Sequence, residues 1–420
     1  MNKFKLDKIS QDFVKTSFGN ILEWYDFTIY GLFALQISRT FFPKNIPFIS
    51  LLLVFATFGV GFLARPLGSF IFGIIGDRRG KLYAVNLSIW LMAIPTTLIG
   101  FLPSYEVLGI LSPILLVFLR ICQGVSAGGQ FSGLIAVAVD SDAPNKPFLT
   151  SLIYTISVLG CFLASLVGSI AIAVFSNSAH SGFPSLVWRI PFILSLVLFL
   201  IYSRMVPEFP KHSLESEHKF TLADIFAKQP KVLVYMSLLS FTTGTIYYVL
   251  FTYLVTYMQA HLHFGKQLAF LEMNGILIIS IFLYPLFGYF ANRHLCRVSY
   301  ARRYVLLMLL GALIFSLSAI NVWLGIVGLL IMVVGFCAVT SFVTSLFAEI
   351  FDESYRMTAC SLSFNLGITL AGFAPLVAEL VSRASVYGLT ILLIMTMLIM
   401  YWIMGQIIQT KGYKKLSITT

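Results

Sequence analysis

Apolar stretches of about 20 residues follow one another along almost the whole chain, and they limit its possible folds more than any other feature. An α-helix needs about 20 mostly apolar residues to cross the roughly 30 Å hydrocarbon core of a bilayer. Charged residues make up only 11% of the chain, whereas a soluble domain usually carries about a quarter. A single soluble core is therefore excluded, and the sequence predicts an all-α membrane protein.

Twelve such stretches are separated by short polar breaks. They are predicted at residues 13–37, 48–76, 83–102, 107–132, 147–175, 187–206, 231–259, 268–290, 303–320, 323–348, 357–380 and 386–409. The longest polar segment lies between the sixth and the seventh. The predicted organisation is an N-terminal bundle of six helices (1–206), a cytoplasmic linker (207–230) and a C-terminal six-helix bundle (231–420).

Lys and Arg residues are concentrated on one side of this topology. If the N-terminus is cytoplasmic, 21 of them lie on the cytoplasmic side and five on the other. Positive loops are retained in the cytoplasm, so we expect a multi-pass protein of the cytoplasmic (inner) membrane with both termini cytoplasmic. The same loops account for the net charge of +11, and nucleic acid is not an expected partner. The basic start of the chain lacks a cleavage pattern, so no removable signal peptide is expected.

Catalytic and metal-binding patterns are not found. The five cysteines fall singly, with no CxxC or Cys/His spacing, so neither a disulfide framework nor a metal site is expected. No nucleophile is paired with a base in the apolar stretches, so an enzyme is not expected. No cofactor is expected either, apart from a driving ion. A transporter-like sensor would be expected to carry an appended soluble domain, whereas the tails have about a dozen residues each.

Four charged residues lie inside the apolar stretches. Glu23 and Asp26 are three positions apart in the first stretch, on one face of a helix, and Arg65 and Arg120 lie in the middle of the second and fourth. A charge at the bilayer centre costs roughly 2.5 kcal/mol or more, so such residues indicate function. The alternative is a purely structural charge cluster.

Proton coupling needs a carboxylate whose proton affinity changes between states. The first stretch supplies two, Asp26 and Glu23. We favour Asp26 as the exchanged proton site with Glu23 as its partner, although the sequence leaves the reverse assignment open.

Substrate contacts are expected from polar and aromatic residues of the same stretches. Arg65 precedes Pro66, which removes a backbone hydrogen bond, so its guanidinium either satisfies a freed carbonyl or binds substrate. Trp24, Tyr30 and Tyr247 present aromatic rings that can hold a quaternary ammonium by cation–π attraction. Ordinary packing is the alternative, since the chain contains 39 Phe and 19 Tyr.

Five motifs occur in order along the chain: GNILEWYDFTIYG from Gly19, ARPLGSFIFGIIGDRRGK from Ala64, LRICQGVSAGGQFSG from Leu119, WRIPF from Trp188 and SLSFNLGITLAGFAP from Ser361. Together they resemble the major facilitator superfamily, and specifically its metabolite:proton symporter branch of proline/betaine, shikimate, citrate and α-ketoglutarate carriers. The resemblance implies two six-helix bundles and proton-coupled uptake of a small polar metabolite. It also implies a carrier that works as a monomer with H⁺ as the driving ion.

The resemblance also implies roles for single residues. In the fourth stretch, Arg120 is similar to an arginine linked to proton transfer, and Gln123 lies one turn away on its face. Asn365, in SFNLG, is a further polar candidate for substrate binding. One departure concerns Gln130, which stands where the branch usually has a glutamate. Because glutamine exchanges no proton, this substitution implies altered substrate or altered coupling, and Gln130 is a candidate substrate contact.

The loop after the second stretch looks like the family's gating loop. The residues carried over are Gly73, Gly76, Asp77, Arg78, Gly80 and Lys81. In the family, the aspartate caps a neighbouring helix and the basic residues face acidic groups across the bundles. The alternative is a basic loop that only sets topology.

A proton-coupled exporter or antiporter of the same superfamily is the alternative function. Drug antiporters carry a glycine-proline pair in the fifth stretch. The fifth stretch here, SLIYTISVLGCFLASLVGSI, contains no proline. Uptake is therefore favoured over export.

Overall fold

The computed structural model describes residues 8–43, 47–79, 81–140, 145–176, 186–205, 229–294, 296–319, 321–351, 356–410 and 413. Within these ranges only the backbone is described for residues 8–16, 73–74, 76–79, 81–82, 136, 140, 176, 205, 319 and 357. The predicted linker, residues 207–230, lies almost entirely outside them.

Twelve helical segments, named spans 1 to 12 in chain order, make up most of the described structure, and a short helix, Tyr105–Leu108, lies between spans 3 and 4. The first six are Lys8–Leu32 with Ala34–Phe41, Pro47–Leu63 with Arg65–Arg79, Lys81–Phe101, Leu111–Ala127 with Gln130–Asp140, Lys146–Ser176, and Leu186–Met205. Span 7 is Pro230–Tyr248, Val249–Tyr253 and Leu254–Ala260; spans 8 and 9 are Lys266–Ala291 and Arg297–Phe315 with Ser316–Ala319. Spans 10 to 12 are Val322–Val343 with Leu346–Glu349, Arg356–Ala371 with Ala374–Ala384, and Gly388–Gln409.

Eleven of these segments are long and apolar enough to cross a membrane, counted over the described residues. Span 1 is less apolar because Asn20, Glu23 and Asp26 lie within it. The outer surfaces of the spans expose large apolar side chains such as Phe70 and Phe282. Such side chains suit a lipid environment, where a helix satisfies its own backbone hydrogen bonds.

Several spans are interrupted where the sequence weakens the helix. Span 2 breaks at Ala64, next to the Arg65-Pro66 pair, because proline cannot donate a backbone hydrogen bond. Spans 4 and 11 break at Gly128 and Gly372, and glycine lowers helix stability by roughly 1 kcal/mol relative to alanine. Span 7 contains a π-helical turn, Val249–Tyr253, where the backbone takes in an extra residue.

The two halves pack face to face. Within the halves, span 1 packs with span 5, span 3 with span 6, span 7 with span 11, and span 9 with span 10. Between the halves, span 5 packs along span 8 and span 2 along span 11.

The two ends of the molecule are named by span 1. The end at which span 1 begins is the N-terminal face, and the other end is the opposite face.

The halves touch on both sides of the midplane. Towards the N-terminal face, Asn365 of span 11 donates to the carbonyl oxygen of Gly128 in span 4 at 3.1 Å. Towards the opposite face, Asn274 of span 8 donates to the hydroxyl of Ser169 in span 5 at 3.0 Å. The two halves are therefore in direct contact towards both faces of the bundle.

Candidate functional site

Glu23 and Arg65 form a buried ion pair between spans 1 and 2. A guanidinium nitrogen of Arg65 donates to Oε1 of Glu23, and neither side chain is more than 1% exposed. The break at Ala64 places Arg65 at the start of the second half of span 2. Its guanidinium therefore pairs with a carboxylate. It does not bond to the backbone carbonyl freed by Pro66, which was one of the two roles considered from the sequence.

Asp26 lies one turn further along span 1, in a second network. Nη1 of Arg120 donates to Oδ2 of Asp26 at 3.3 Å and to Oε1 of Gln123 at 3.0 Å. Nε2 of Gln123 donates to Oδ1 of Asp26 at 2.8 Å and to the hydroxyl of Thr96 at 2.9 Å. Spans 1, 3 and 4 thus meet at one carboxylate.

Both guanidinium groups also lie over aromatic rings. The Cζ atom of Arg120 is 3.6 Å from the ring centroid of Tyr30, and that of Arg65 is 4.7 Å from Phe62. An aromatic face attracts a cation by roughly 2 kcal/mol when water is excluded. Each guanidinium therefore has a second stabilising contact beside its carboxylate.

The four charges balance inside the N-terminal bundle. Two carboxylates face two guanidinium groups, so the fully ionised cluster has no net charge. Glu23, Asp26, Arg65 and Arg120 are each 1% exposed or less. Burying a charge without a partner is costly, so this neutrality is a condition for placing the cluster in a bilayer.

Several polar atoms in this region have no hydrogen-bond partner among the described residues. They are Oε2 of Glu23, Nε1 of Trp24, both amide atoms of Gln130 and the hydroxyl of Tyr248. An unpaired buried polar group costs about 1 to 3 kcal/mol. The indole ring of Trp24 touches Tyr247 of span 7, with centroids 4.7 Å apart, so its free nitrogen lies near the boundary between the halves.

The remaining predicted substrate residues have protein partners in this conformation. The hydroxyl of Tyr30 donates to the carbonyl oxygen of Val54 at 3.2 Å, and that of Tyr247 lies 3.0 Å from Sγ of Cys161. Asn365 bridges the halves, as described above. Gln123 belongs to the Asp26 network, so the unpaired side chains Trp24 and Gln130 are the predicted residues best placed to take a ligand.

The predicted gating residues are only partly described. Gly80 lies outside the described residues. The structure gives the backbone alone for Gly73, Gly76, Asp77, Arg78 and Lys81, at the junction of spans 2 and 3. Their gating role stays a prediction.

Two residues of interest were missed by the sequence analysis. Thr96 carries no charge, and only its hydrogen bond to Gln123 reveals its part in the Asp26 network. Glu379 is a further buried acid in span 11, fully shielded from solvent. Its position near the end of an apolar stretch, four residues before Arg383, resembles an ordinary surface ion pair in the sequence.

Comparison with known proteins places this architecture in a family. The Major Facilitator Superfamily model matches residues 16–374. The chain belongs to the Major Facilitator Superfamily. Among its relatives, the proline/betaine transporter of Escherichia coli K12 is 30% identical over 397 residues, which cover 90% of this chain and 79% of that protein. The citrate-proton symporter of Klebsiella pneumoniae is 28% identical over 87% of this chain and 84% of its own.

A solved structure gives the same result for the fold. A D-xylose-proton symporter superposes with a TM-score of 0.70 at 16% identity, over 97% of this chain and 98% of the other. The predicted fold class, twelve transmembrane helices in two six-helix bundles, is confirmed. The protein is a multi-pass membrane transporter that acts on a small molecule, and it is not an enzyme.

Proposed function

We propose that this transporter carries out proton-coupled symport of a small carboxylate-bearing metabolite, such as proline, betaine or an organic acid. The observation that carries the proposal is the neutral cluster of two acids and two guanidinium groups around Glu23 and Asp26. In this proposal Asp26 takes up and releases the driving proton, and Arg120 modulates its proton affinity.

The charge balance supplies the coupling. Arginine stays protonated in proteins, so a proton on Asp26 leaves the cluster with one positive charge in excess. A buried charge without a partner is strongly destabilising. A substrate carboxylate compensates for that charge, so proton and substrate bind better together than either does alone. That is the thermodynamic requirement of symport.

The differing contacts of the two acids favour Asp26 over Glu23 as the proton site. Among the described residues Glu23 pairs with Arg65 alone, whereas Nη1 of Arg120 lies 3.3 Å from Asp26 and is shared with Gln123. A shared guanidinium can move between its two partners without being left unpaired. A movement of span 1 against span 4 within the N-terminal bundle can therefore change the Asp26–Arg120 distance, and with it the proton affinity of Asp26.

Relatives with different substrates support a carboxylate as the common feature. Proline, betaine and citrate, the substrates named for the two relatives, all carry one. The aromatic rings of Trp24 and Tyr247 would add cation–π attraction for a substrate that also carries an ammonium group. The unpaired atoms of Gln130 and Trp24 would complete its hydrogen bonds.

We place both termini in the cytoplasm and the protein in the inner membrane, as a monomer without a nucleic-acid partner. The orientation is supported by the distribution of Lys and Arg over the loops. An alkaline phosphatase fused to the C-terminus should be inactive. Periplasmic activity of that fusion would contradict this orientation.

Transport by purified protein in liposomes tests the coupling. Labelled proline, betaine, shikimate and citrate would first be screened for uptake driven by an inward proton gradient. With the active substrate, Asp26→Asn keeps the shape of the side chain and removes its titration. We expect accumulation to fall to the external concentration while exchange in preloaded vesicles persists.

Glu23→Gln is the matched control on the same helix face, and a milder loss of accumulation is expected. Two results would refute the assignment: concentrative uptake by Asp26→Asn, or complete uncoupling by Glu23→Gln alone. Failure of a proton gradient to drive uptake of any carboxylate by the unmodified protein would refute the proposed symport itself.

A further inference from the structure

A second buried polar cluster lies in the C-terminal half, towards the opposite face, and it centres on Glu379 of span 11. The hydroxyl of Tyr253 donates to Oε2 of Glu379 at 2.8 Å, and Nε2 of His261 lies 3.2 Å from the same oxygen. Nε of Arg383 donates to Oε1 at 2.8 Å. Both oxygens of a carboxylate without solvent exposure are therefore occupied by protein groups.

Two of these partners also touch the other half of the molecule. The ring of Tyr253 packs edge-on against Phe55 of span 2, with centroids 5.7 Å apart. The guanidinium of Arg383 lies 4.5 Å from the ring centroid of Phe48, at the start of span 2. Glu379 thus fixes two of the side chains by which spans 7 and 11 contact span 2.

The backbone next to the cluster is unusual. Tyr253 is the last residue of the π-helical turn in span 7. Within the turn, Thr252 packs against Gly31 of span 1, where even a Cβ atom would lie 2.2 Å from its methyl group. A π-turn holds one residue more than an α-turn, so its loss would rotate the following side chains by about 100°. Such a rotation would take Tyr253 away from both Glu379 and Phe55.

We infer that Glu379 is the positioning residue of a lock that closes the transporter at the opposite face. The carboxylate orients Tyr253 and Arg383, and these two side chains hold span 2 against spans 7 and 11. Opening towards that face requires span 2 to leave both contacts. How firmly Glu379 fixes these two side chains against span 2 therefore affects the balance between closed and open conformations there. The inference needs only the two halves to move apart, and it is independent of which residue carries the proton.

Distances between spin labels at the opposite face test the lock. Labels would be attached to cysteines that replace Ile49, near the start of span 2, and Val386, just beyond span 11. These two side chains are 47% and 66% exposed. Cys122 and Cys296, the two native cysteines that are not buried, would be replaced by serine. The measurement uses full-length protein in liposomes without substrate or proton gradient.

Tyr253→Phe is the decisive variant, because it keeps the aromatic ring and removes only the hydroxyl that bonds to Glu379. We expect the ratio of open to closed distances to rise by up to roughly tenfold, because a ring that Glu379 no longer orients keeps only part of its edge-on contact with Phe55 across the halves. Glu379→Gln should shift the ratio in the same direction. The matched control is Tyr257→Phe, whose ring stacks on His261 and whose hydroxyl faces Ser318.

The outcomes distinguish a specific effect of the Glu379 cluster from a general destabilisation of the protein. A shift in Tyr253→Phe with an unchanged distribution in Tyr257→Phe is the expected result. Unchanged distances in both Tyr253→Phe and Glu379→Gln would overturn the inference, and so would an equal shift in the control. Failure of the proposed symport would appear in the gradient-driven uptake assay and leave these distances as they are.

Discussion

Two glutamines of span 4 show how differently one residue type can be used. Gln123 donates to Asp26 and Thr96 and accepts from Arg120. Gln130, two turns later, is 1% exposed, and neither of its amide atoms has a partner in the described part of the chain. An amide that costs stability without serving the protein's own hydrogen bonds is suited to a ligand. Substitution of each glutamine by the similarly shaped methionine separates the two roles.

Gln130→Met should leave thermal stability in detergent unchanged or raise it, because it removes an unpaired buried amide whose burial costs about 1 to 3 kcal/mol. Its substrate affinity should fall roughly tenfold through the loss of hydrogen bonding. Gln123→Met should instead lower the melting temperature, because it leaves Asp26 and Arg120 with fewer partners. Equal melting temperatures for the two variants, or unchanged substrate affinity in Gln130→Met, would contradict this division.

At the residue scale, the sequence identified the charged members of the site and suggested only part of their arrangement, the proximity of Arg120 to Asp26 and Gln123. Glu23, Asp26, Arg65 and Arg120 were predictable because a charge is conspicuous in an apolar stretch. Which guanidinium meets which acid depends on how spans 1, 2 and 4 rotate about their axes, and sequence periodicity does not fix that. Thr96 was not predictable for the same reason.

At the element scale, the backbones of spans 2 and 4 approach each other closely. A Cβ atom on Gly68 would lie 1.9 Å from the carbonyl oxygen of Val125, and one on Gly124 would lie 1.7 Å from that of Gly61. Small residues let helix backbones approach closely in membranes. This contact holds Arg65 and Arg120 at their present separation, so it sets the geometry of the charged cluster.

Gly68→Ala should therefore destabilise the protein, because the added methyl group meets a backbone atom that cannot rotate away. Overpacking of this kind costs about 1 to 3 kcal/mol. Gly275→Ala in span 8 is the matched control, since no atom lies within 4 Å of its Cβ position. Melting temperatures in detergent should fall for Gly68→Ala and stay level or rise for Gly275→Ala. The same change in both would argue against close packing of spans 2 and 4.

Most bounds of the elements followed from hydropathy to within a few residues, but the fourth stretch, predicted at 107–132, continues to Asp140. Two further departures have physical causes. The ninth stretch was predicted from residue 303, yet span 9 begins at Arg297. Its first turns carry Arg297, Arg302 and Arg303. These charges exclude the turns from a stretch defined by hydropathy, although a helix can continue through them where it extends beyond the bilayer. The π-turn of span 7 leaves no signal in composition, because it depends on packing against span 1.

At the scale of the whole molecule, closure on both sides depends on small residues where spans 5 and 8 cross. Towards the N-terminal face, a Cβ atom on Gly288 would lie 2.1 Å from the hydroxyl oxygen of Ser151. Towards the opposite face, a Cβ atom on Gly168 would lie 2.6 Å from the ring of Phe270. A bulky side chain at either glycine therefore opposes closure at one face and leaves the other free to close.

Gly288→Trp should hold the N-terminal face open, whereas Gly168→Trp should hold the opposite face open. Gly275→Trp, on the same helix as Gly288 but with open space around it, should change neither. Spin-label distances would be measured at each face in the background used for the lock, with Arg204 and Tyr289 as the exposed label positions at the N-terminal face.

Transport assays distinguish the variants held open at one face from the coupling variant Asp26→Asn. A protein held open at one face can complete neither net uptake nor exchange, since both require the substrate site to be exposed alternately to the two sides. Asp26→Asn is expected to lose only gradient-driven accumulation and to keep exchange. Gly288→Trp should therefore abolish both activities together with a longer distance at the N-terminal face. Full exchange activity in Gly288→Trp, or an equal loss in Gly275→Trp, would show that the contact between spans 5 and 8 is not what closes that face.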